Sequence, residues 1–414
     1  MRIHSHQFEN GLVLLGQPML SLESVAFSFL IPVGAVYDPS ELAGLSNLTC
    51  EMVLRGCGGL DSRQFVEALE SLGIESGESV SVSHSSYRGA TLAENLFPAM
   101  EIYADLLRRP MLPEDELEQG RQVAIQEIRS VEDEPAQKVM LELRRVHYPH
   151  PWNLPHQGDL AGIQAITIDD IRAHFKKTYR PNGTILGVAG RFDWNELVER
   201  VGRLFGDWPQ GELDEPPIGN LNVARRHIES DTNQTQIAIA YRSAAYSDPE
   251  YFQAWGSVGV LSNGFSSRLF SEVREKRGLC YSISASPRSL RTCGSVFCYA
   301  GTSADRAQET LDVTLQELTR LADGIQQDEL DRLKAHMKSS LIMAQESSAA
   351  RSGAIARDWY YLGRVRTLDE IGEIVDSLSP ATINAYLADH PPGDFTVVTL
   401  GPNSLEVPNG IPQS

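Results

Sequence analysis

The segment Gly44-Leu-Ser-Asn-Leu-Thr-Cys-Glu-Met-Val-Leu-Arg-Gly56 predicts a helix around which the first half of the chain is organised. Its apolar residues recur at three- and four-residue steps: Leu45, Leu48, Met52 and Val53. The opposite stripe carries Asn47, Cys50 and Glu51, and residues three or four apart share a helical face. We therefore expect these three side chains to converge. Helical zinc sites use this geometry, with two ligands one turn apart and a carboxylate base beside them.

The segment resembles the inverzincin helix of the pitrilysin/insulinase peptidases, which typically runs Gly-Leu-x-His-x-x-Glu-His-Met-x-x-x-Gly. In this sequence Asn47 stands at the first ligand histidine, Cys50 at the general base and Glu51 at the second histidine. In the family a later glutamate completes the zinc shell, and Glu127, 76 residues after Glu51, matches that position. An acid that the family often has seven residues before this glutamate is replaced by Gly120.

The resemblance therefore implies a zinc helix whose framework is kept and whose chemistry is lost. An amide at position 47 cannot titrate, and a thiol is unsuited to act as the base for a metal-bound water. We expect no metal and no catalytic residue in this chain. Glu51 and Glu127 would then be two carboxylates facing each other, one with a raised pKa. A thiolate and two carboxylates still leave a divergent zinc peptidase open as an alternative.

In the second half, the stretch from Gly264 to Tyr281 resembles the second-domain signature of the same family. Active members have an arginine and a tyrosine seven residues apart here, which hold the substrate backbone and the developing oxyanion in the site of an opposing domain or subunit. Arg274 and Tyr281 match that pair. A guanidinium and a phenol are suitable fixed donors to a peptide carbonyl. Without the motif around them, these would be a surface charge and a core tyrosine of a strand.

The two halves of the sequence repeat one another. Asp115-Glu116-Leu117 corresponds to Asp328-Glu329-Leu330, Thr167 to Ser379, and Val188 to Thr399, with offsets of 213, 212 and 211 residues. A nearly constant offset indicates duplication of a whole domain. We expect an α+β fold of two tandem homologous domains of the processing-peptidase type, each an antiparallel sheet with helices packed on one face. The predicted domains are 1–208 and 223–414, joined by a Pro/Gly-rich linker at 209–222.

Three local interpretations accompany this fold. Asn10-Gly11 predicts a hairpin with a type I′ turn, and the alternating residues of 80–84 predict a strand. His147, His150 and His156 lie among prolines and are interpreted as a structural turn rather than a metal site. No nucleophile-elbow, Walker or dinucleotide-binding motif is present.

Composition limits the partners. A net charge of −19 argues against nucleic acid and anionic membranes as partners. The five cysteines are odd in number and form no Cys-x-x-Cys pair, which argues against a disulfide framework. No apolar run is long enough for a membrane span, and the first twenty residues lack a leader pattern. We therefore expect a cytoplasmic protein.

Half-length members of the family assemble in pairs, and in some pairs one subunit bears the zinc while the other contributes the arginine and tyrosine. The resemblance thus implies a non-catalytic subunit that completes the peptide-binding chamber of a zinc-bearing homologous partner and supplies Arg274 and Tyr281. Zinc would be held by the partner. Three alternatives remain: an active zinc metallopeptidase with a divergent site, a structural protein like the core subunits of respiratory complex III, and a peptide-binding homodimer without catalysis.

Overall fold

The computed structural model describes residues 3–211 and 214–407, which form two β-sheets, a short two-stranded ribbon and the helices around them. The strands are β1 (His4–Gln7), β2 (Val13–Pro18), β3 (Ser24–Ile31), β4 (Gly56–Cys57), β5 (Leu60–Asp61), β6 (Glu75–Val80), β7 (Ser85–Leu92), β8 (Ile185–Gly190), β9 (Arg225–Glu229), β10 (Gln234–Ser243), β11 (Cys280–Ser289), β12 (Gly294–Ser303) and β13 (Thr396–Gly401). The helices are α1 (Leu45–Val53), α2 (Ser62–Ser71), α3 (Leu96–Arg108), α4 (Leu117–Asp133), α5 (Pro135–His147), α6 (Leu160–Ala165), α7 (Ile168–Thr178), α8 (Trp194–Phe205), α9 (Tyr251–Ser262), α10 (Ala307–Thr319), α11 (Gln327–Ala344), α12 (Ser348–Leu362), α13 (Leu368–Ser377) and α14 (Pro380–Asp389).

The two sheets share one topology. The first has the strand order β1-β2-β8-β3-β7-β6 and the second has the order β11-β12-β10-β13-β9. In reverse, the second order is β9-β13-β10-β12-β11, which corresponds strand by strand to β2-β8-β3-β7-β6 of the first sheet. Strand β1 has no counterpart in the second sheet. In each sheet one neighbouring pair is parallel, β2 with β8 and β9 with β13, while the other pairs are antiparallel. The predicted α+β duplication is confirmed, with one parallel pair added to each sheet.

Equivalent elements begin with equivalent sequence signals. Thr167 caps α7 and Ser379 caps α14, each through a reciprocal capping box with the residue three positions later. The acidic residues of the two matched helix openings lie in the 3₁₀ turn before α4 and in the first turn of α11. The constant sequence offset is thus a repeat of supersecondary structure.

The chain divides into two compact units that do not follow the order of the sequence. The first comprises the residues up to Ser130 with Leu154–Pro217 and Met343–Thr367, and the second comprises the remainder. Helix α12 therefore belongs to the first unit although it comes from the second half of the sequence, and α5 shows the converse exchange. The predicted boundaries at 208 and 223 separate the two copies of the sequence repeat and do not coincide with these compact units. They stay a prediction.

Each sheet has an apolar core on one face and an exchanged helix on the other. In the first unit the main core packs beneath α1, α3, α7 and α8. On the opposite face Ile355 and Ala356 of α12 pack on Val13, Leu15 and Ile185. In the second unit α5 places His147 between the hydroxyls of Ser295 and Thr396, each 3.0 Å away. Helices on both faces differ from the predicted single face, because each half contributes one helix to the other half's sheet.

Two turn predictions need correction. Residues 81–84 are not a strand: they form the tight connection between β6 and β7, closed by a 2.8 Å bond from Ser81 N to His84 O. The hairpin of β1 and β2 is present, but only Gly11 has a positive φ, so the turn is not type I′. The Asn10 amide instead donates to Phe205 O at 2.7 Å, which fixes the turn against α8.

Candidate functional site

Helix α1 begins at a buried carboxylate. Asp38 accepts hydrogen bonds from Gly44 N at 3.0 Å and from Ser46 N at 2.9 Å, so it satisfies amides that the first helical turn leaves free. Ser46 Oγ also donates to Asp38 at 2.6 Å and lies 3.2 Å from His174 Nε2 of α7. Burial raises the pKa of Asp38 to about 6. This network orients the helix that carries residues 47–51.

Gly44 supplies the backbone freedom that the start of α1 requires. Its φ is +99°, a conformation that L-residues with side chains rarely adopt. A Cβ at this position would lie 2.9 Å from Gln157 O and 3.0 Å from the Cα of Gly158. The segment that contains the cis peptide bond between His150 and Pro151 leads into this contact. The residues in contact are Gln157 and Gly158, and the interpretation of His147, His150 and His156 as a structural turn stays a prediction.

Of the positions that match the family's zinc ligands, Asn47 and Glu127 meet directly. The Asn47 amide donates to Glu127 Oε2 at 2.9 Å across α1 and α4. The sequence comparison therefore correctly brings residues 80 positions apart to one place. The contact is a neutral amide on a carboxylate, however, and an amide nitrogen is not a zinc ligand.

Glu51 is bound by a cation from its own chain. Arg55 Nη2 lies 2.6 Å from Glu51 Oε1, and Arg55 Nη1 lies 3.1 Å from Glu116 Oε2. The Arg55 side chain is only 16% exposed, so this bridge is largely shielded from water. Glu116 is held in turn by Ser62 Oγ at 2.9 Å. A Cβ at Gly120 would lie 2.8 Å from Met52 Sδ and 3.4 Å from Arg55 Nε and Glu51 Cγ, so α4 packs closely against this end of α1.

The expected convergence at position 50 is wrong. Cys50 is 3% exposed and belongs to the apolar core, with its thiol within hydrogen-bonding reach of Tyr87. The Tyr87 hydroxyl lies 2.6 Å from that of Tyr179. Burial raises the pKa of the Cys50 thiol to about 12, so it is neither a base nor a thiolate at neutral pH. Position 50 lies on the sheet-facing flank of α1, not on its polar stripe.

Glu51 and Glu127 have separate donors, Arg55 and the Asn47 amide, and the expectation that the two carboxylates face each other stays a prediction. A further carboxyl group near Glu51 is that of Glu78 on the edge strand β6. Partial burial, followed by the negative charge of Glu51, raises the pKa of Glu78. This neighbour was missed because nothing in the sequence pairs β6 with α1.

These residues do not fit zinc. The metal favours imidazole, thiolate and free carboxylate ligands. The chain offers an amide, a buried neutral thiol, a carboxylate already bound to Arg55, and Glu127, which accepts a hydrogen bond from the Asn47 amide. Among residues 3–211 and 214–407, no three His, Cys, Asp or Glu side chains are placed to hold a metal ion. We therefore derive no step through zinc in this chain.

The second candidate region lies in the second unit. Arg274 is exposed and lies on a partly buried π-helical turn, Phe270–Glu275, and its guanidinium stacks on the Phe270 ring at 4.9 Å. It forms no ion pair with the other residues described. Tyr281 follows at the start of β11 and is 48% exposed. Arg274 is close enough for its charge to oppose the burial that raises the pKa of Cys280 to about 11, which places it beside the start of β11.

Further polar residues surround Tyr281 that the sequence did not single out. The Tyr281 hydroxyl donates to Gln234 Oε1 at 3.0 Å, and the Tyr299 hydroxyl donates to Gln236 Oε1 at 2.6 Å. Gln234 and Gln236 share one face of β10, and Tyr299 lies on the neighbouring β12. The sequence contains one sign of this arrangement, because residues two apart on a strand lie on the same face of the sheet. It does not show that this face is the one next to Tyr281 until the strand pairing is known.

Comparison with protein families agrees with both regions. Residues 21–149, which contain α1, match the model described as "Insulinase (Peptidase family M16)". Residues 165–337, which contain Arg274 and Tyr281, match the model described as "Peptidase M16 inactive domain". The chain belongs to the M16 peptidase family. The pitrilysin/insulinase resemblance inferred from the sequence is thereby confirmed, as a half-length M16 unit.

Relatives and solved structures extend over nearly the whole M16 chain. A protein named "Uncharacterized zinc protease" from Rickettsia bellii is 27% identical over 401 residues, covering 96% of this chain and 97% of the relative. The one from Bacillus subtilis, YmxG, is 25% identical and covers 97% and 98%. A peptidase M16 inactive domain from Pseudomonas fluorescens superposes with a TM-score of 0.91 at 21% identity, covering 99% of this chain and all of that one. A protease from Helicobacter pylori gives 0.86 at 22% identity, covering 97% and 99%. These two structures establish the fold alone.

No helix in the described ranges is both long and apolar enough to cross a membrane.

Proposed function

We propose that this M16 chain is a non-catalytic subunit that completes the peptide-binding chamber of a zinc-bearing homologous partner. In that complex Arg274 and Tyr281 hold the substrate backbone, and the partner supplies the metal and the base. The observation that carries the proposal is the contrast between the chain's two regions. The zinc positions are closed by internal contacts, whereas the arginine and tyrosine face solvent.

The closed region argues against hydrolysis by this chain alone. Peptide hydrolysis of the M16 kind depends on a metal-activated water and a general base. In this chain Arg55 provides the positive charge beside Glu51, and Cys50 is buried where the base belongs. Neither side chain can activate a water molecule. The divergent-zinc alternative would require the Glu51–Arg55 pair to open and Cys50 to leave the core.

The exposed region supports a binding role. Arg274 keeps its donors free of carboxylates, and its stacking on Phe270 restricts its orientation. Tyr281 has a half-exposed phenol whose hydroxyl lies 3.4 Å from the amide nitrogen of the buried Gln236. Fixed donors of this kind stabilise a peptide carbonyl most strongly when negative charge develops on it. A purely structural subunit has no requirement for such donors, whereas a peptide-binding homodimer without catalysis would use them as well.

The test is reconstitution. The partner to use is a homologous chain of similar length with an intact His-x-x-Glu-His motif, sought first in the adjacent reading frame. Each chain is assayed alone and mixed, with labelled casein as substrate. We expect activity of the mixture well above that of the partner alone. Arg274→Ala or Tyr281→Phe in this chain should lower kcat by about a hundred- to a thousandfold, as removal of an oxyanion donor does.

Arg277→Ala is the matched control. It removes a guanidinium a few residues away whose partner is Glu272, at 2.9 Å, and it should leave the rate unchanged. A mixture no more active than the partner alone would refute the proposal. Size measurement of this chain with and without the partner then separates a homodimer from a heterodimer. The cytoplasmic location and the tandem domain boundaries remain predictions that accompany this proposal.

A further inference from the structure

Tyr281 is set apart from its strand by a β-bulge. In the pairing of β11 with β12, Cys280 is opposite Thr302 and Ser282 is opposite Gly301, so Tyr281 is the extra residue. A bulge bends its strand and redirects the side chain of the unpaired residue. Here the redirected side chain lies across the face of the sheet that carries Gln234 and Gln236.

The Tyr281 hydroxyl lies in a frame of three polar side chains, those of Gln234, Gln236 and Tyr299. It donates to Gln234 Oε1 at 3.0 Å, and it is approached by Gln236 Nε2 at 3.4 Å. Gln236 is fixed in turn, because its Oε1 accepts a short bond of 2.6 Å from the Tyr299 hydroxyl. Gln236 is 3% exposed, whereas Gln234 is exposed. Gln236 and Tyr299 thus form the inner part of the frame, and Gln234 lies on its solvent-exposed side.

Gly301 leaves the space that the two phenol hydroxyls occupy. A Cβ at this position would lie 2.5 Å from the Tyr281 hydroxyl oxygen and 2.8 Å from that of Tyr299. Both phenols therefore require the absence of a side chain here. Burial, together with the nearby Tyr281, raises the pKa of Tyr299. Tyr299 stays protonated at neutral pH and continues to donate to Gln236.

We propose that Gln236 and Tyr299 are positioning residues that hold the Tyr281 hydroxyl for a substrate carbonyl, and that the exposed Gln234 carboxamide occupies the carbonyl's place until peptide binds. This inference rests on the proposed function. A primary carboxamide oxygen and a peptide carbonyl are equivalent acceptors for a phenol. Peptide binding then exchanges one amide oxygen for another, and the Tyr281 side chain needs no reorientation. The inference assigns opposite roles to two glutamines on one strand.

The first experiment needs no partner. The intact chain is labelled with ¹³C-tyrosine, and the Tyr281 signal among the 13 tyrosines is assigned by its loss in Tyr281→Phe. Side-chain couplings then report the χ1 rotamer. We expect one rotamer in the wild type and rotamer averaging in Gln236→Leu and Tyr299→Phe. The control is Tyr241→Phe, because that phenol is also in the second unit and its hydroxyl is buried without a hydrogen-bond partner in the described structure. Unchanged couplings in both frame variants would overturn the positioning role.

The second experiment uses the reconstituted complex and labelled casein. Gln236→Leu or Tyr299→Phe should lower kcat/KM about fivefold, the effect of one ordinary hydrogen bond. In a Tyr281→Phe background the same changes should have less than about a twofold effect, because their influence passes through that hydroxyl. Gln234→Leu should not lower kcat/KM. Equal losses with and without Tyr281, or a loss with Gln234→Leu, would overturn the inference. An inactive mixture with the expected couplings would refute the proposed function and leave the positioning role standing.

Discussion

Replacing Arg55 with methionine tests whether an internal cation stabilises the region where other M16 chains bind zinc. The change keeps an unbranched side chain with a similar helix-forming tendency, and it removes both ion pairs. The bridges to Glu51 and Glu116 are 2.6 and 3.1 Å long, and the three side chains are between 16% and 27% exposed. A charged hydrogen bond contributes about 1.5–3 kcal/mol when shielded, and less when water screens it. We therefore expect a total loss of about 2–3 kcal/mol.

The loss should be local, so the suitable assay is hydrogen–deuterium exchange of the α1 backbone amides. A cost of about 2–3 kcal/mol corresponds to exchange about 30- to 150-fold faster. Removing Arg55 also takes away the cation bound to Glu51, whose charge acts on Glu78, and this adds to the effect. Arg63→Met is the control: its pair with Glu67 has the same i,i+4 geometry but is 87% and 57% exposed. Exchange in Arg55→Met no faster than in the control would refute the reasoning.

Three further predictions follow from burial and from stacking. Cys50, whose pKa burial raises to about 12, should resist iodoacetamide in the native chain and react once denatured; mass spectrometry of the peptide measures this, and rapid native alkylation would contradict the core placement. Burial lowers the pKa of His147 to about 4, below its unfolded value of about 6.5. The stability that the neutral, buried His147 contributes is therefore fully present above about pH 6.5 and is lost as the pH falls toward 4. Between about pH 7 and 5, urea unfolding should show the wild type losing about 2 kcal/mol more than His147→Gln, whereas equal losses would exclude a titrating His147. Phe270→Leu, which removes the stacking partner of Arg274 at 4.9 Å, should lower kcat/KM of the reconstituted complex about two- to fivefold, and an unchanged value would exclude a role for the stack.

The sequence predicts the fold well because the fold is encoded twice. The apolar periodicity of Leu45–Val53 marks α1, and the matched caps at Thr167 and Ser379 mark the repeat. When the same helix-start signal recurs at a constant offset, the repeat can be recognised even where other residues of the two copies differ. The exchange of α5 and α12 between the two units has no such signal, because a helix's sequence does not specify which sheet it covers.

The site is only partly predictable. Asn47 and Glu127 were matched by the family motif, and they do meet. Arg55 was missed, although it lies one turn after Glu51. Helical spacing shows which residues share a face, but it does not show which of them form an ion pair. The inward orientation of Cys50 depends on how α1 is rotated against the sheet. The frame around Tyr281 depends on strand register and on one bulge, and neither can be read from a single strand.

The most direct test of the account is the zinc content and peptidase activity of this chain purified alone. The contacts of Asn47, Glu51 and Cys50 predict no stoichiometric zinc after equilibration with the metal, and no cleavage of labelled casein. Zinc bound at one per chain and lost in Glu127→Ala, together with peptide hydrolysis by the isolated chain, would contradict it.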